Sequence, residues 1–222
     1  MRNIQKDFRK FALDKGVHRS SLDAMENMVY PTVIEERSSA MRAVEMNVFS
    51  RLIQERIIFL SGEVTSDSMD IISAQLLYLD SVDNRDINLY INSPGGDCYS
   101  GLELVSVMDF IKSDVSTTVL GMAASMGAFL LAMGEHGHRY CGKYSEVMIH
   151  QPLGGIGGHT QATDMKIHTD RILKMKDKLN RMLAENTGKP LETIQNDTER
   201  DNFMSAEEAR EYGLIDKVVE KR

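Results

Sequence analysis

Short apolar runs alternate with longer amphipathic segments through the middle of the chain, and this rhythm constrains the fold more than any other feature. The runs have the length of strands and are rich in β-branched residues, whereas the segments between them have the apolar spacing of helices. This rhythm predicts βαβ crossovers and a largely parallel sheet, hence the α/β fold class. The predicted strands cover 57–60, 87–91, 115–120, 139–141 and 147–150, and the predicted helices cover 67–79, 99–112 and 125–133.

The charge and the cysteine content exclude several classes of function. The 222 residues include 26 Lys and Arg against 33 Asp and Glu, a net charge of −7, and no basic stripe stands out. Phosphate binding requires a concentrated positive face, so nucleic acid is not expected as a partner. The two cysteines, Cys98 and Cys141, are too few for a disulfide framework, and free thiols are typical of a reducing compartment.

Residues 115–134 form an uncharged run that is long enough to cross a bilayer. Its first part, Val115 to Leu120, alternates β-branched residues, and Gly121 then separates it from a second apolar segment. A buried strand that turns into a buried helix explains this run better than a membrane span. Residues 1–16 lack the apolar region of a signal peptide, so the chain is expected to be cytoplasmic.

Both flanks of this central region have patterns of their own. The first thirty residues are polar and lack sustained periodicity, which predicts an unstructured, removable leader over 1–29 in front of one domain over 30–222. A helical stripe of apolar residues covers 41–53. Beyond a glycine-rich hinge at 154–158, residues 161–186 contain no Gly or Pro and predict a helix of about 39 Å at 1.5 Å per residue.

The long predicted helix carries a narrow apolar seam. Its members recur at intervals of three, four and three residues, and they are Ile172, Met175, Leu179 and Met182. So thin a seam is typical of a docking element that projects from a compact head, and packing across the sheet is the alternative. Two short helices are predicted after it, the second opened by a capping box at 205–208.

Ser125 is the foremost candidate for nucleophilic chemistry. It lies in Gly-Met-Ala-Ala-Ser-Met-Gly (121–127), where a predicted strand ends and a predicted helix begins. Its small neighbours allow a tight turn that exposes the hydroxyl and leaves the amide of Met126 free, as in a nucleophile elbow. The full G-x-S-x-G pattern is absent because Ala123 occupies the first glycine position. The alternative is that Ser125 merely caps the helix.

A base and an acid must accompany such a nucleophile. His150 ends the next predicted strand, where it could act as a general base or simply form a hydrogen bond at a sheet edge. The segment 197–201 offers three acids, Asp197, Glu199 and Asp201. Their ordinary role is a solvated turn near a helix start, and residue chemistry alone does not choose among them.

Two further features bear on ligands. Gly95 and Gly96 follow a predicted strand and expose backbone amides without side chains, which suits an oxyanion hole as well as any tight turn. His136 and His138 suggest a metal site, but they lie in a polar turn without a third ligand nearby in sequence. No phosphate-binding or dinucleotide loop occurs, so neither a metal nor another cofactor is expected.

Five segments, in order along the chain, resemble one family. They are Ile-Asn-Ser-Pro-Gly-Gly (91–96), Gly-Met-Ala-Ala-Ser-Met-Gly (121–127), Met-Ile-His-Gln-Pro (148–152), Gln-Ala-Thr-Asp (161–164) and Asp-Thr-Glu-Arg-Asp (197–201). With them the chain resembles the proteolytic subunit of the Clp (caseinolytic) protease over residues 30–219. The resemblance implies the Clp protease and crotonase-like spiral of ββα units, with a projecting handle helix.

The resemblance also implies an activity, a serine endopeptidase that needs no cofactor. Ser125 would be the nucleophile, His150 the general base and Asp201 the acid that orients the base. The backbone amides of Gly96 and Met126 would hold the oxyanion. The substrates would be unfolded polypeptides, which are degraded to short peptides.

A large assembly is implied as well. Members of the family form two stacked heptameric rings, with 154–186 corresponding to the handle at the ring–ring contact and 31–50 to the axial loop and N-terminal helix. A hexameric AAA+ ATPase unfoldase docks in apolar clefts, which Tyr90 and Phe110 would line here. The leader is removed by self-cleavage, which would fall near 27–30.

Two segments depart from the family pattern, and two other functions compete with this one. The loop 154–160 is about two residues longer than usual, and 36–47 is longer and matches poorly. An inactive ring subunit would lack Ser125, His150 or Asp201, and all three are present. An acyl-CoA hydratase or isomerase of the crotonase type would have no use for the serine and histidine segments.

Overall fold

The computed structural model describes residues 4–26, 32–37, 42–155, 157–158 and 160–221. Its helices are α1 (Ile4–Asp14), α2 (Arg19–Glu26), α3 (Val48–Gln54), α4 (Ser66–Val82), α5 (Cys98–Phe110), α6 (Met126–Ala132), α7 (Ala162–Thr187), α8 (Leu191–Asp197) and α9 (Ala206–Tyr212). Its strands are β1 (Thr32–Arg37), β2 (Arg42–Asn47), β3 (Ile57–Ser61), β4 (Ile87–Ser93), β5 (Val115–Ala124), β6 (Arg139–Gly142), β7 (Glu146–Ile149), β8 (Asn202–Ser205) and β9 (Lys217–Val219).

Strands β3 to β9 build a mostly parallel sheet. Strands β3, β4, β5, β6 and β9 lie side by side in that order, while β7 pairs parallel with β5 and antiparallel with β8. The sheet forks at β5, because residues 117–119 pair with β6 and residues 122–124 pair with β7. The fork gathers the carboxyl ends of β4, β5 and β7, which is where sites form in α/β sheets. The mixed α/β class predicted from the sequence is confirmed.

The core lies between the strands and the helices that cover them. Every residue of α6 is buried, as expected for a helix that is apolar all round. Leu89, Ile91 and Val119 of the central strands are almost completely inaccessible. The uncharged run 115–134 is therefore a strand and a buried helix, and no helix among the described residues is long and apolar enough to cross a membrane.

The helix predicted over 41–53 is wrong in its first half. Residues 42–47 form β2, which pairs antiparallel with β1, and α3 begins at Val48. Asn47 marks the change, because its Oδ1 accepts a hydrogen bond from Ser50 N at 2.7 Å and so caps α3. The apolar spacing of residues 42–47 also fits a helix, but their pairing with β1 stabilises a strand instead. The tip of this hairpin, residues 38–41, lies outside the described residues.

The prediction of an unstructured leader is also wrong, because α1 and α2 lie within it. Four apolar side chains from these helices and their connection are buried against α4, namely Phe8, Ala12, Val17 and Leu22. Charged residues separate the few apolar positions of α1 and α2, so the helical spacing is difficult to recognise in the sequence. The expected cleavage region near 27–30 follows α2 and lies outside the described residues.

The long helix after the glycine-rich hinge agrees with its prediction to within one residue. Gly188 ends α7 in the left-handed conformation, with φ 72°. Leu179 and Leu183 in the C-terminal half are buried, whereas Ile167 and Leu173 in the N-terminal half are more than half exposed. One end of α7 therefore packs on the domain while the other presents apolar side chains outward.

Candidate active site

Ser125 lies at a sharp turn between β5 and α6. Its backbone adopts φ 54° and ψ −121°, which L-residues rarely occupy. Ser125 N donates to Met148 O at 2.8 Å and ties the turn to β7. Its hydroxyl makes no capping hydrogen bond to α6, so the simple capping interpretation does not describe it. The strand-to-helix elbow predicted from the sequence is present.

His150 directly follows β7 and lies between Ser125 and Asp201. Its Nε2 is 2.8 Å from Ser125 Oγ, and its Nδ1 is 2.9 Å from Asp201 Oδ1. A carboxylate accepts hydrogen bonds, so Nδ1 carries the proton and Nε2 is left to accept from the serine hydroxyl. The three side chains therefore form one continuous chain of hydrogen bonds, with the basic nitrogen of the imidazole facing the hydroxyl.

The three acids of segment 197–201 have different partners. Asp197 Oδ2 accepts from the hydroxyl of Tyr212 at 2.8 Å. Glu199 Oε2 is 2.6 Å from Lys176 Nζ, and this hydrogen bond and charge hold the pKa of Glu199 below its ordinary value. Of the three acids, Asp201 is the one that contacts the histidine.

Two backbone amides near Ser125 have no hydrogen-bond acceptor among the described residues; one belongs to the glycine loop and the other to the residue after the serine. No hydrogen bond donated by Gly96 N or Met126 N occurs in the part of the chain that the structure describes. The loop before α5 is fixed by Val64, whose N donates to Gly95 O at 2.9 Å and whose O accepts from Asp97 N at 2.8 Å.

Close contacts leave no room for a side chain at either glycine of that loop. A Cβ on Gly95 would lie 2.6 Å from Ser125 Cβ, and one on Gly96 would lie 2.2 Å from Val64 O. The loop therefore packs directly on the elbow, and its free amide sits beside the serine. Paired amides in such a position can stabilise a developing oxyanion.

A cleft of about 570 Å³ opens over the serine and the histidine. Its walls come from the glycine loop, from the segment after His150 and from α7, which contributes His168, Arg171 and Met175. Cys98, at the start of α5, also lines it, and burial raises the pKa of its thiol. Ser125 and His150 both line this cleft.

Tyr90 and Phe110, expected to line a partner cleft, lie away from this site. The Tyr90 ring stacks on Phe59 with 5.5 Å between centroids, and Phe59 in turn meets Phe49 edge-on at 5.5 Å. Phe110 ends α5 and is 80 % exposed. The role of Tyr90 and Phe110 in binding a partner stays a prediction.

The histidine pair of the turn before β6 is not brought to the serine site. His136 is exposed and His138 is half-buried. No group of three or more His, Cys, Asp or Glu side chains that could hold a metal occurs among the described residues.

Sequence reasoning missed two residues that line cavities at the serine. From the sequence, Cys98 is only a free thiol and Asn180 only a polar residue of a long helix, whereas both line a cavity that Ser125 also lines. Asn180 lies on the buried side of α7 between Leu179 and Leu183, where it is 3 % exposed. A polar residue within the apolar side of an amphipathic helix was the available signal.

The fold and this geometry together define a class of protein. A nucleophile elbow, an imidazole hydrogen-bonded to it and a carboxylate behind the imidazole are the arrangement found in serine hydrolases. A family model described as Clp protease matches residues 39–222, which leaves out α1, α2 and β1. The chain belongs to the Clp protease family.

Proposed function

We propose that this chain is a serine endopeptidase of the Clp type, which cleaves unfolded polypeptides to short peptides. The observation that carries the proposal is the unbroken hydrogen-bonded chain from Ser125 Oγ through His150 to Asp201. The Clp protease family gives the class of reaction, and the cleft over the serine gives space for a peptide.

The first chemical step is acylation of the enzyme. Ser125 Oγ attacks the carbonyl carbon of the scissile peptide bond while His150 Nε2 takes the hydroxyl proton. Asp201 holds the Nδ1 proton and stabilises the imidazolium that forms. His150 then gives its proton to the leaving amine, and the peptide bond breaks.

Negative charge develops on the carbonyl oxygen during this attack. The amides of Gly96 and Met126 lack acceptors in the described residues, and both belong to segments in contact with or next to Ser125. They stabilise the oxyanion, and loss of one such donor typically costs about 10²–10³ in rate. Water activated by His150 then releases the acyl group and restores the hydroxyl.

Assembly and partners follow from membership in the family rather than from contacts of this single chain. We propose two stacked heptameric rings that enclose the serine sites, with the segment 154–186 at the ring–ring contact. A hexameric AAA+ ATPase supplies unfolded substrate and uses the ATP. Tyr90 and Phe110 contribute to its docking cleft, and the enzyme removes its own leader near 27–30.

Hydrolysis of a short fluorogenic peptide by the full chain tests the proposed activity. Ser125→Ala is expected to lower kcat by about 10⁶, and Asp201→Asn by about 10⁴, because the second variant loses the orientation of the imidazole. Glu199→Gln is the matched control, since this acid lies two residues away and binds Lys176 instead. Activity that survives Ser125→Ala, or equal losses in the Asp201 and Glu199 variants, would contradict the assignment.

A further inference from the structure

α4 lies between two separate apolar cores. One side of the helix packs into the main core of the domain through Ile72, Leu76 and Leu79, which are almost completely buried. Ala74 and Tyr78 belong to a second, smaller core. At 3.6 residues per turn these two residues lie on the opposite side of α4 from the first three. A helix with two apolar sides is stable in water only when both sides are covered.

The helical pair α1–α2 covers the second side of α4. Its four buried apolar side chains are at most 9 % exposed, and they form the smaller core together with Ala74. Phe8 and Phe11 also meet the ring of Tyr78 edge-on, with centroids 6.0 Å and 5.5 Å apart. Apolar burial and edge-on ring contacts both stabilise such an interface. Side-chain packing therefore holds the pair on α4.

The pair also has contacts of its own that join its two helices. Arg9 Nη2 of α1 donates to Asp23 Oδ1 of α2 at 2.6 Å, and Val17 N donates to Ala12 O at 3.0 Å in the turn between the helices. These contacts lie within residues 4–26, and the family match begins only at residue 39. A cut near 27–30 falls after α2 and before β1, so it removes none of them and none of the packing on α4.

We propose that the pair α1–α2 binds α4 without a covalent connection, so that the mature subunit consists of two chains after self-cleavage. The inference rests on the proposed function, which includes that cut. A short connection between two binding segments acts as an effective concentration in about the millimolar range, and a cut removes this contribution alone. Departure of the pair would expose the apolar side of α4 that contains Ala74 and Tyr78, which favours retention.

A full-length chain that can be cut by an added protease tests this inference. The recognition sequence of a site-specific protease is inserted between residues 28 and 29 in the Ser125→Ala variant, so that cutting does not depend on the proposed activity. After complete cutting at micromolar concentration, gel filtration separates free peptide from complex, and native mass spectrometry determines the mass of the complex. We expect the N-terminal peptide to elute with the remainder of the chain in equal amount.

Substitutions on the two sides of α1 show whether the packing retains the peptide. Phe8→Asp places a charge in the smaller core and is expected to lower the retained fraction at least about tenfold. Leu13→Asp is the matched control on the same helix, because Leu13 is 36 % exposed, and it should retain the peptide. Leu22→Asp repeats the test from α2 in case the Phe8 variant does not fold.

Loss of the peptide from the cut chain without these substitutions would overturn the inference, whether or not the remainder stays folded. Undiminished retention in both the Phe8 and the Leu22 variants would overturn it as well, because the smaller core would then not be the contact that holds the pair. The chain with Ser125 intact is followed by mass spectrometry without added protease. Absence of a cut near 27–30 there would refute the proposed self-cleavage, and it would leave the result on the binding of the pair unaffected.

Discussion

Ser125 is half-buried and adopts a backbone conformation that is unfavourable for any residue except glycine. Such conformations cost about 1–3 kcal/mol and persist where the surrounding structure enforces them. Here β5, α6 and the hydrogen bond to Met148 enforce the turn. The strain is the consequence of pointing the hydroxyl at His150 from the end of a buried strand.

Comparison of two inactive variants measures this strain. Both Ser125→Ala and Ser125→Gly lack the hydroxyl, but glycine tolerates φ 54° without strain. We expect the glycine variant to be more stable than the alanine variant by about 1 kcal/mol, because relief of strain exceeds the entropy that glycine adds to the unfolded chain. Urea unfolding followed by circular dichroism measures the difference.

Ser106 provides the matched control because it lies inside α5, where backbone geometry is helical. There the order reverses, and Ser106→Gly is expected to be less stable than Ser106→Ala by about 0.5–1 kcal/mol. The same order of stability at both positions would show that the elbow is not strained.

At the scale of the elements, Arg139 and Asp216 connect the end of the sheet to α7. The Asp216 carboxylate accepts from Arg139 Nη2 at 2.6 Å and from Gly137 N at 2.8 Å. Arg139 Nη1 donates to Asn186 O at 2.9 Å, near the C-terminal end of α7. The Arg139 side chain is 5 % exposed, and among the described residues Asp216 is the carboxylate that forms an ion pair with it.

Asp216→Asn is expected to destabilise the fold in a pH-dependent manner. Burial raises the pKa of Asp216, but hydrogen bonds from Arg139 outweigh it and hold the pKa below its ordinary value. A lowered folded-state pKa stabilises the fold above the unfolded value of about 3.9, and this contribution is lost as the pH falls through the folded value. Loss of the partner of a buried charge costs about 3–5 kcal/mol.

The measurement is the difference in free energy of unfolding between the original chain and the variant from pH 7 down to pH 3. We expect a large difference at pH 7 that begins to shrink below about pH 4, where Asp216 of the unfolded chain takes up a proton while Asp216 of the folded chain is still ionised. Asp177→Asn removes an exposed carboxylate that pairs with Arg181 four residues later, and it should leave stability nearly unchanged. A difference that stays constant with pH would argue against the ion pair.

The elements differ in how well their sequence predicts them. α7 and the central strands were predictable because their apolar periodicity is uninterrupted and because glycines mark where several of these elements end. β2 was not, because its pairing with β1 depends on a neighbour that local spacing does not encode. α1 was missed because Phe8 and Ala12 gain their burial from α4, far along the chain.

The candidate site was predictable to different degrees for a similar reason. Ser125 and His150 follow strands of one parallel sheet, so their proximity can be expected from the chain order. The choice of Asp201 required the family resemblance, because all three acids fall within five residues between the end of α8 and the start of β8.

At the scale of the whole molecule, apolar side chains remain exposed around the first half of α7. They are Leu153, Met165, Ile167 and Leu173, with exposed fractions between 44 % and 82 %. Exposed apolar side chains grouped in this way mark interaction surfaces. Their position on the segment 154–186 agrees with the proposed ring–ring contact.

Leu173→Asp is therefore expected to separate the proposed double ring into single rings. A charge at a buried contact is strongly unfavourable, whereas Leu173 is 56 % exposed in the single chain, so the fold itself should tolerate it. Sedimentation velocity measures the mass, which we expect to halve. Leu173→Met is the matched control and should keep the full assembly. An unchanged mass in the aspartate variant would place the contact elsewhere.

The central claim is that Ser125 is an activated nucleophile, and covalent labelling tests it most directly. The purified full-length chain is treated with a fluorophosphonate and the modified residue is located by peptide mapping. We expect the label on Ser125, no labelling of Ser125→Ala, and much slower labelling of His150→Ala, because the base at 2.8 Å is gone. Absence of label from a folded chain, or label on a serine other than Ser125, would contradict the account.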